Sequence, residues 1–233
     1  MNLYEAFTAL RERLDDETSD YLWGTAELVR YLSEAQIEFC RRRPIRDSGY
    51  TLSLAAGQAA YDLDCEIYAI EQIKRASTGL PLAKATHEMI DWYRYPSYPD
   101  GRVWIDTLST QPVSWYYEDL DDGYLYLAGT PTEADTLNMV VLRGPIRTYS
   151  YSATTSVMTN QRFEIAERFH PSLLHWACHL AYLKRDSDTY NVGEADRCEA
   201  AFTRDVGPKI DASHDLWRKR MQNRRPRAKA HFL

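Results

Sequence analysis

The stretch TAELVRYLSEAQIEFCRR fills residues 25–42 and ends two residues before Pro44. Its apolar residues recur every three or four positions, which is the period of one face of an α-helix. Thr25 is the expected N-cap, and Pro44 is expected to end the helix because proline disfavours helical geometry in the residue before it. The sequence therefore predicts a strong amphipathic helix over residues 26–42. Its apolar face is formed by Leu28, Tyr31, Leu32, Ala35 and Phe39.

The same helical period appears towards both ends of the chain. A short helix is predicted over residues 2–16. In the C-terminal part, a helix is predicted over residues 161–184, and Pro171 is expected to break or restart it. Two more helices are predicted over residues 193–206 and 209–222.

The period changes at about Tyr50, where apolar and polar residues begin to alternate. Alternation of this kind is typical of half-buried strands. Asp122-Gly123 favours a hairpin turn between two of these strands. A short helix is also expected near residues 86–95. Strands are predicted at residues 51–54, 60–63, 68–74, 103–105, 114–118, 124–127 and 137–142, and an antiparallel sheet is the expected result.

The order of helices, strands and helices predicts an α+β fold. In this interpretation residues 1–47 and 151–214 form a helical core. Residues 48–150 form an inserted antiparallel β-domain, and residues 215–233 form an extended basic C-terminal arm.

The charge of the chain is divided unevenly between the body and this arm. No acidic residue follows Asp215, and residues 1–217 carry a formal charge of −13, because 21 Lys and Arg there stand against 34 Asp and Glu. Unpaired like charges cannot fold on themselves, so the arm is expected to meet an anionic partner. The alternative is a disordered, solvated C-terminus. The arm's cations are Arg218, Lys219, Arg220, Arg224, Arg225, Arg227 and Lys229, and its apolar anchors are Trp217, Phe232 and Leu233.

A second basic cluster ends the helix over residues 26–42. It consists of Arg41, Arg42, Arg43 and Arg46. Cations are favourable at a helix C-terminus, which explains one or two of them. The cluster is also a candidate contact for an anion or a partner protein.

The most suggestive pattern for chemistry lies in the late helix. His175 and His179 are four residues apart and would share a face, as helical zinc ligands do, with His170 and Cys178 nearby. However, Trp176 stands where the glutamate of an HExxH motif would be. We therefore expect packing at this helix, with no metal and no cofactor.

The rest of the sequence contains no pattern of an enzyme or a membrane protein. It has no glycine-rich phosphate loop, no GxSxG turn and no Cys/His nucleophile pattern, so we expect a protein that is not an enzyme. It also has no run of 18 apolar residues, so no membrane partner is expected.

Three stretches follow one another in an order known from one protein family. WGTAELVRYLSEAQ at residues 23–36 leads a tryptophan into a helix. AGQAAYDL at residues 56–63 is followed by isoleucines at positions 67, 70 and 73. The third stretch begins with LYL at residues 125–127. It continues through Thr130-Pro131 and Pro145 to His170, Leu173, Leu174, Trp176, Ala177, Ala181 and Tyr182.

In order and spacing these stretches resemble the head-to-tail adaptor, or head completion, proteins of tailed bacteriophages. The resemblance covers most of residues 22–185. The sequence departs from the family pattern at LAGTP, residues 127–131, where a longer proline-rich turn is more usual.

The resemblance implies a structural virion protein at the head–tail interface, assembled in the host cytoplasm. It implies a homo-oligomeric ring, with twelve copies expected, that contacts the portal protein and a downstream tail or nozzle protein. Packaged DNA is expected to pass through without specific binding. The family's C-terminal arm often docks on the portal. In this sequence that role would fall on residues 215–233.

Two other functions remain open at this stage. The chain could be a nucleic-acid-binding protein that acts through its basic tail, which strong salt-dependent DNA affinity would favour. It could also be a metal-dependent hydrolase that uses His170, His175 and His179, which stoichiometric metal would favour.

Overall fold

The chain divides into a helical unit, Met1–Arg43 with the chain from Thr148 onward, and a β unit, Pro44–Arg147. The structure is a computed structural model that describes residues 1–18, 21–84, 115–120, 123–128, 131–186 and 188–209. Its combination of helices with mainly antiparallel sheets confirms the predicted α+β fold.

The helical unit contains five α-helices among its described residues. They are α1 Leu3–Arg13, α2 Thr25–Arg42, α3 Thr155–Asn160, α4 His170–Tyr182 and α5 Val192–Val206, and a 3₁₀ turn at Glu167–Phe169 precedes α4. The predicted helices near residues 2–16, 26–42 and 193–206 are therefore confirmed. The predicted helix over residues 209–222 lies outside the described residues, apart from Lys209.

Helix α4 is the centre of the unit, and α1, α2 and α5 all pack against it. Its buried residues are His170, Ser172, Leu173, Leu174, Trp176, Ala177, Cys178, His179 and Ala181. A helix that is covered on nearly every side must be mainly apolar around its whole circumference, and this one is.

Of the three helices packed on α4, one runs parallel to it and two run antiparallel. Helix α1 runs parallel to it, because the amino group of Met1 lies 3.9 Å from Glu167 and Arg13 contacts His175 further along. Helix α2 runs antiparallel, from Glu27 beside Lys184 to Arg43 over the ring of Phe169.

Helix α5 also runs antiparallel to α4. The backbone N–H of Asn191, just before α5, donates to the carbonyl of Tyr182. Ser172 near the start of α4 donates to Asp205 near the end of α5. The C-terminal ends of α2 and α5 therefore both lie at the N-terminal end of α4.

Thr25 is the first residue of α2 and not its N-cap, which corrects the prediction. Gly24 occupies the cap position and contributes no side-chain hydrogen bond there. The hydroxyl of Thr25 instead accepts a hydrogen bond from the guanidinium of Arg11. Arg11 is buried with Asp16, whose carboxylate also accepts the backbone N–H of Leu22.

The predicted helix over residues 161–184 begins only at His170. Pro171 stands in its first turn, where a backbone N–H would have no helical partner in any case. Residues 161–166 fail to form a helix because Phe163 and Ile165, two positions apart, are both buried, which is the spacing of an extended segment.

The β unit contains two sheets. A three-stranded antiparallel sheet has the order β1-β7-β3, and a four-stranded sheet has the order β2-β6-β5-β4. The short pair β4–β5 is parallel, unlike the antiparallel arrangement that was predicted. The strands are β1 Ile45–Leu54, β2 Ala60–Asp62, β3 Ile67–Arg75, β4 Ala83–Lys84, β5 Trp115–Asp119, β6 Tyr124–Ala128 and β7 Asp135–Arg143.

The hairpin between β5 and β6 is confirmed, with Asp119 opposite Tyr124. Gly123 has a φ of 76°, a left-handed conformation that glycine adopts without strain. The predicted helix at residues 86–95 and the predicted strand at residues 103–105 lie outside the described residues.

Both sheets contribute side chains to one apolar core. The core residues are Leu54, Tyr61, Leu63, Ile67, Ile70, Ile73, Leu82, Leu125, Leu127, Leu137, Met139 and Val141. Because the two sheets bury their apolar faces in the same core, they stabilise each other.

A buried carboxylate ties the end of β3 to the start of β7. Asp135 has a side chain that is 7% exposed and lies 2.9 Å from Arg75. Burial alone would raise the pKa of Asp135, but hydrogen bonds from Ser77, the backbone N–H of Thr136 and Arg75 outweigh it. The pKa of Asp135 therefore falls from 3.8 to about 2.

This depressed pKa predicts an acid-sensitive contribution to the stability of the β unit. The contribution is complete above the unfolded-state pKa near 3.8 and is lost as the pH falls towards about 2. Asp135→Asn should lower the free energy of unfolding at pH 7 by roughly 2 kcal/mol and remove that part of the pH dependence.

Urea unfolding of both proteins between pH 2 and 7 measures this difference. The variant Asp62→Asn, at an exposed position of β2, controls for the loss of one carboxylate from a strand. Parallel stability curves for the wild type and Asp135→Asn between pH 4 and 2 would contradict the role given to Asp135.

Candidate partner-binding site

Several exposed cations lie where α2 and α5 end, beside the start of α4. Arg43 lies with its guanidinium 4.6 Å from the ring centre of Phe169, and Arg42 donates to the carbonyl of Gly207, just after α5. Arg43, the last residue of the first segment of the helical unit, and Lys209, the last described residue, therefore both lie near this end. We call the surface formed by Arg41, Arg43, Arg168 and Lys209 the basic end.

Phe169 organises the most exposed part of the basic end. The guanidinium groups of Arg43 and Arg168 lie 4.6 Å and 4.8 Å from the centre of its ring. Phe39 packs against the same ring inside the unit. Within the described chain, neither arginine has a carboxylate at ion-pair distance. These two charges are held in place by an aromatic ring and face solvent, which suits them to bind an external anion.

Lys209 and Arg41 complete the basic end. Lys209 lies 3.2 Å from Glu199 and 5.3 Å from the ring centre of Trp176, and its side chain is 61% exposed. Arg41 is 69% exposed and lies 3.8 Å from Glu38. Both cations are exposed, so their ion pairs are screened by solvent and either cation can exchange its partner at little cost.

Arg42 differs from the other members of its cluster because its side chain is only 2% exposed. Its guanidinium donates to Glu38 on α2 and to Thr203 and Gly207 at the end of α5. One nitrogen, Nη2, has no hydrogen-bond partner. The guanidinium lies about 5 Å from the ring centres of Trp176 and Phe202, which provide a cation–π contact.

Arg46 belongs to the β unit, where it lies 2.7 Å from Glu71. Of the four arginines predicted as a second partner contact, Arg41 and Arg43 are thus exposed on the helical unit. Arg42 is an internal link between α2 and α5, and Arg46 is paired on β1. The contact made by Arg41, Arg42, Arg43 and Arg46 with a partner stays a prediction.

The predicted portal-binding residues lie outside the described residues. They are Trp217, Arg218, Lys219, Arg220, Arg224, Arg225, Arg227, Lys229, Phe232 and Leu233. The described chain ends at Lys209, on the basic end, so the arm begins within a few residues of this surface.

The histidines of α4 face different neighbours. His170 is buried and bonds the carbonyl of Ile165, and His179 bonds the carbonyl of Ala195 on α5. His175 lies between Arg13 and Asp205. Burial lowers the pKa of His170, and burial together with Arg13 lowers the pKa of His175.

These histidines contribute to packing and to backbone hydrogen bonds between helices. In the described ranges no three His, Cys, Asp or Glu side chains are arranged to hold a metal ion. No observation on the described histidines supports the hydrolase alternative.

The sequence did not point to Arg168 and Phe169. They lie 125 residues or more from Arg43, and nothing in the local pattern relates the three. Only the antiparallel packing of α2 on α4 brings these side chains together.

Residues 1–227, nearly the whole chain, match the family model described as SU10 adaptor protein. The chain belongs to this family. A comparison with curated proteins finds no match. Membership confirms the resemblance to phage head-to-tail adaptors, and it makes the chain a structural component of a phage virion. An adaptor family implies contacts with portal and tail proteins.

No helix in the described part of the chain has the length and apolar character needed to cross a bilayer.

The internal role of Arg42 predicts a large stability difference between two adjacent arginines. Arg42→Met should lower the free energy of unfolding of the helical unit by about 3 kcal/mol, because it leaves Glu38 without its buried partner. Arg41→Met, the matched control, should change it by less than about 1 kcal/mol because Arg41 is exposed and Glu38 keeps its bond to Arg42.

Urea unfolding followed by circular dichroism compares the two variants. Equal losses of stability for Arg41→Met and Arg42→Met would show that Arg42 does not link α2 to α5.

Proposed function

We propose that this adaptor forms a ring between the portal and the tail, that the ring is part of the DNA conduit, and that the basic arm fastens it to the portal. The ring has twelve copies, assembles on the portal in the host cytoplasm and also contacts a downstream tail or nozzle protein. The observation that carries the proposal, beyond family membership, is the basic end, whose member Lys209 is the last described residue before the arm. We expect the arm's cations to act together with this surface.

The charge distribution supports a role at this junction. A DNA conduit should not bind the DNA that passes through it. Residues 1–217 carry a formal charge of −13. Negative charge repels phosphates over a Debye length of about 8 Å at physiological salt. The positive charge is concentrated in the arm and at the basic end, where an acidic protein surface would be bound.

Several weak contacts are needed to hold such an arm. Exposed ion pairs are worth about 0–1 kcal/mol each, so a single pair would not hold a subunit in place. Seven cations acting together with Trp217, Phe232 and Leu233 provide both charge and apolar anchors. A segment that orders on docking loses conformational entropy, so its attachment should depend on salt and on these anchors.

Nucleic-acid binding through the same arm is the second candidate function. Its support is the arm's charge, which alone does not distinguish DNA phosphates from protein carboxylates. The two functions differ in which partner, portal or DNA, needs the arm in order to bind.

Truncation after His214 should leave a folded protein that no longer attaches to the portal. The cut follows α5 and removes all seven arm cations and three apolar anchors. Circular dichroism checks folding, and co-sedimentation with purified portal at several salt concentrations checks attachment.

A finer comparison uses two double variants. Arg224→Gln/Arg225→Gln changes the arm, and Arg185→Gln/Arg197→Gln is the control.

Both double variants remove two positive charges, but the control removes exposed cations near the opposite end of α4. The arm variant should weaken attachment by up to about thirtyfold, and the control should leave it unchanged. Full-strength attachment of the truncated chain would show that the arm is a solvated terminus. Loss of DNA affinity without loss of portal affinity would favour the second function.

Electron microscopy of the adaptor with its portal should show a ring of twelve copies, whereas the isolated chain should be a monomer at low protein concentration and should self-associate weakly only at high concentration. The reason is that ordering costs are met only when the chain docks. A stable dimer without affinity for the portal would contradict the proposed function.

A further inference from the structure

The exposed apolar side chains of the helical unit are concentrated in two places. Among its described residues, nine large apolar side chains are exposed, and eight of them fall into two groups. The loop patch consists of Tyr21, Leu22, Leu183, Tyr190 and Val192, and the N-terminal patch consists of Tyr4, Tyr151 and Val157. The ninth side chain, Ile37, lies alone on α2.

Lys184 gathers the loop patch from three segments of the chain. Its ammonium group donates to the carbonyl of Leu22 and to Glu27. Leu183 precedes Lys184 directly. Tyr190 and Val192 flank Asn191, whose backbone N–H donates to the carbonyl of Tyr182 at the end of α4. These bonds hold five apolar side chains around the C-terminal end of α4.

Gln161 gathers the N-terminal patch. Its side chain exchanges hydrogen bonds with the backbone of Ser150, next to Tyr151, and donates to the carbonyl of Val157. Its backbone carbonyl accepts the N–H of Leu3, next to Tyr4.

The two patches lie at opposite ends of α4. Met1 is close to Glu167, just before α4, whereas Leu183 follows its last residue. A helix of 13 residues is about 20 Å long. The two patches of one subunit are therefore too far apart to pack against each other.

Exposed apolar groups of this kind mark protein contacts, because water around them is released when they are covered. A closed ring uses head-to-tail contacts, and each copy must therefore carry two different complementary faces. A ring would cover both patches on every copy. A two-fold dimer through either patch would leave the other one in water.

We infer that the loop patch of one copy packs against the N-terminal patch of the next copy, and that this contact joins neighbours in the ring. The inference rests on the proposed ring. Eight side chains are fewer than the 20–30 residues on each side of a standard stable interface. The contact is accordingly weak between two free chains, and it holds when the portal brings copies close together.

Two charge substitutions test the contact. Leu183→Glu places a charge in the loop patch, and Val157→Glu places one in the N-terminal patch. Ile37→Glu is the matched control, since Ile37 is similarly exposed but outside both patches. All three positions are exposed, so each variant should fold, as circular dichroism will confirm.

Sedimentation velocity over a range of concentrations, without portal, gives the first readout. Each patch variant alone should self-associate at least tenfold more weakly than the wild type and the control. An equal mixture of the two patch variants should form dimers and nothing larger, because one intact contact remains between the two kinds of chain. A mixture that associates no better than its components overturns the inference.

Counting the copies bound to each portal gives the second readout. Both patch variants keep the arm and should attach without filling the ring, while Ile37→Glu should fill it. Full rings from the patch variants overturn the inference and leave the proposed function standing. Failure of the wild type to attach at all overturns the proposed function. A wild type that stays monomeric both in solution and on the portal overturns the inference.

Discussion

The buried guanidinium of Arg42 is the interaction on which the layout of the helical unit depends. It joins α2 to the end of α5 through Thr203 and Gly207, and it packs against Trp176 on α4. Three helices are thus fixed to one another where α2 and α5 end. Burying a charge is costly, and it is tolerated here because a carboxylate, two further acceptors and two aromatic rings surround it.

This arrangement explains why neighbouring arginines have different roles. Arg41 and Arg42 are successive residues of α2 and point in directions about 100° apart, so only Arg42 faces the packed side. Arg43 follows the last helical residue in a non-helical conformation. Arg42 faces inward, while Arg41 and Arg43 remain at the surface. The inner arginine sets the position of the helix ends, and the outer two become part of a positive surface whose place in the fold is determined by the buried one.

The fold class could be predicted because it depends on local periods. The change from a period of 3.6 to a period of 2 near Tyr50 separates α2 from the strands. Elements whose local composition is ambiguous were less predictable. Strand β1 begins at Ile45, before the alternation is visible, because its polar residues pair with β7 around a bulge between Asp47 and Tyr50. The start of α4 was misplaced because Ile165 lies four residues before Phe169, which is a helical spacing, although the burial of both Phe163 and Ile165 requires an extended segment.

The surface could be predicted only where charge alone defines it. The arm is evident from composition, but the stacking of Arg43 and Arg168 on Phe169 depends on tertiary packing, and so do the two apolar patches. Both kinds of surface arise from the directions of the helices around α4. Because α2 and α5 run against α4, the cations of the basic end collect near the N-terminal end of α4, where the N-terminal patch also lies, while the loop patch collects at its C-terminal end. A unit whose two ends differ in chemistry is suited to a junction between two different proteins. Each partner can then be recognised by its own kind of contact and not by shape alone.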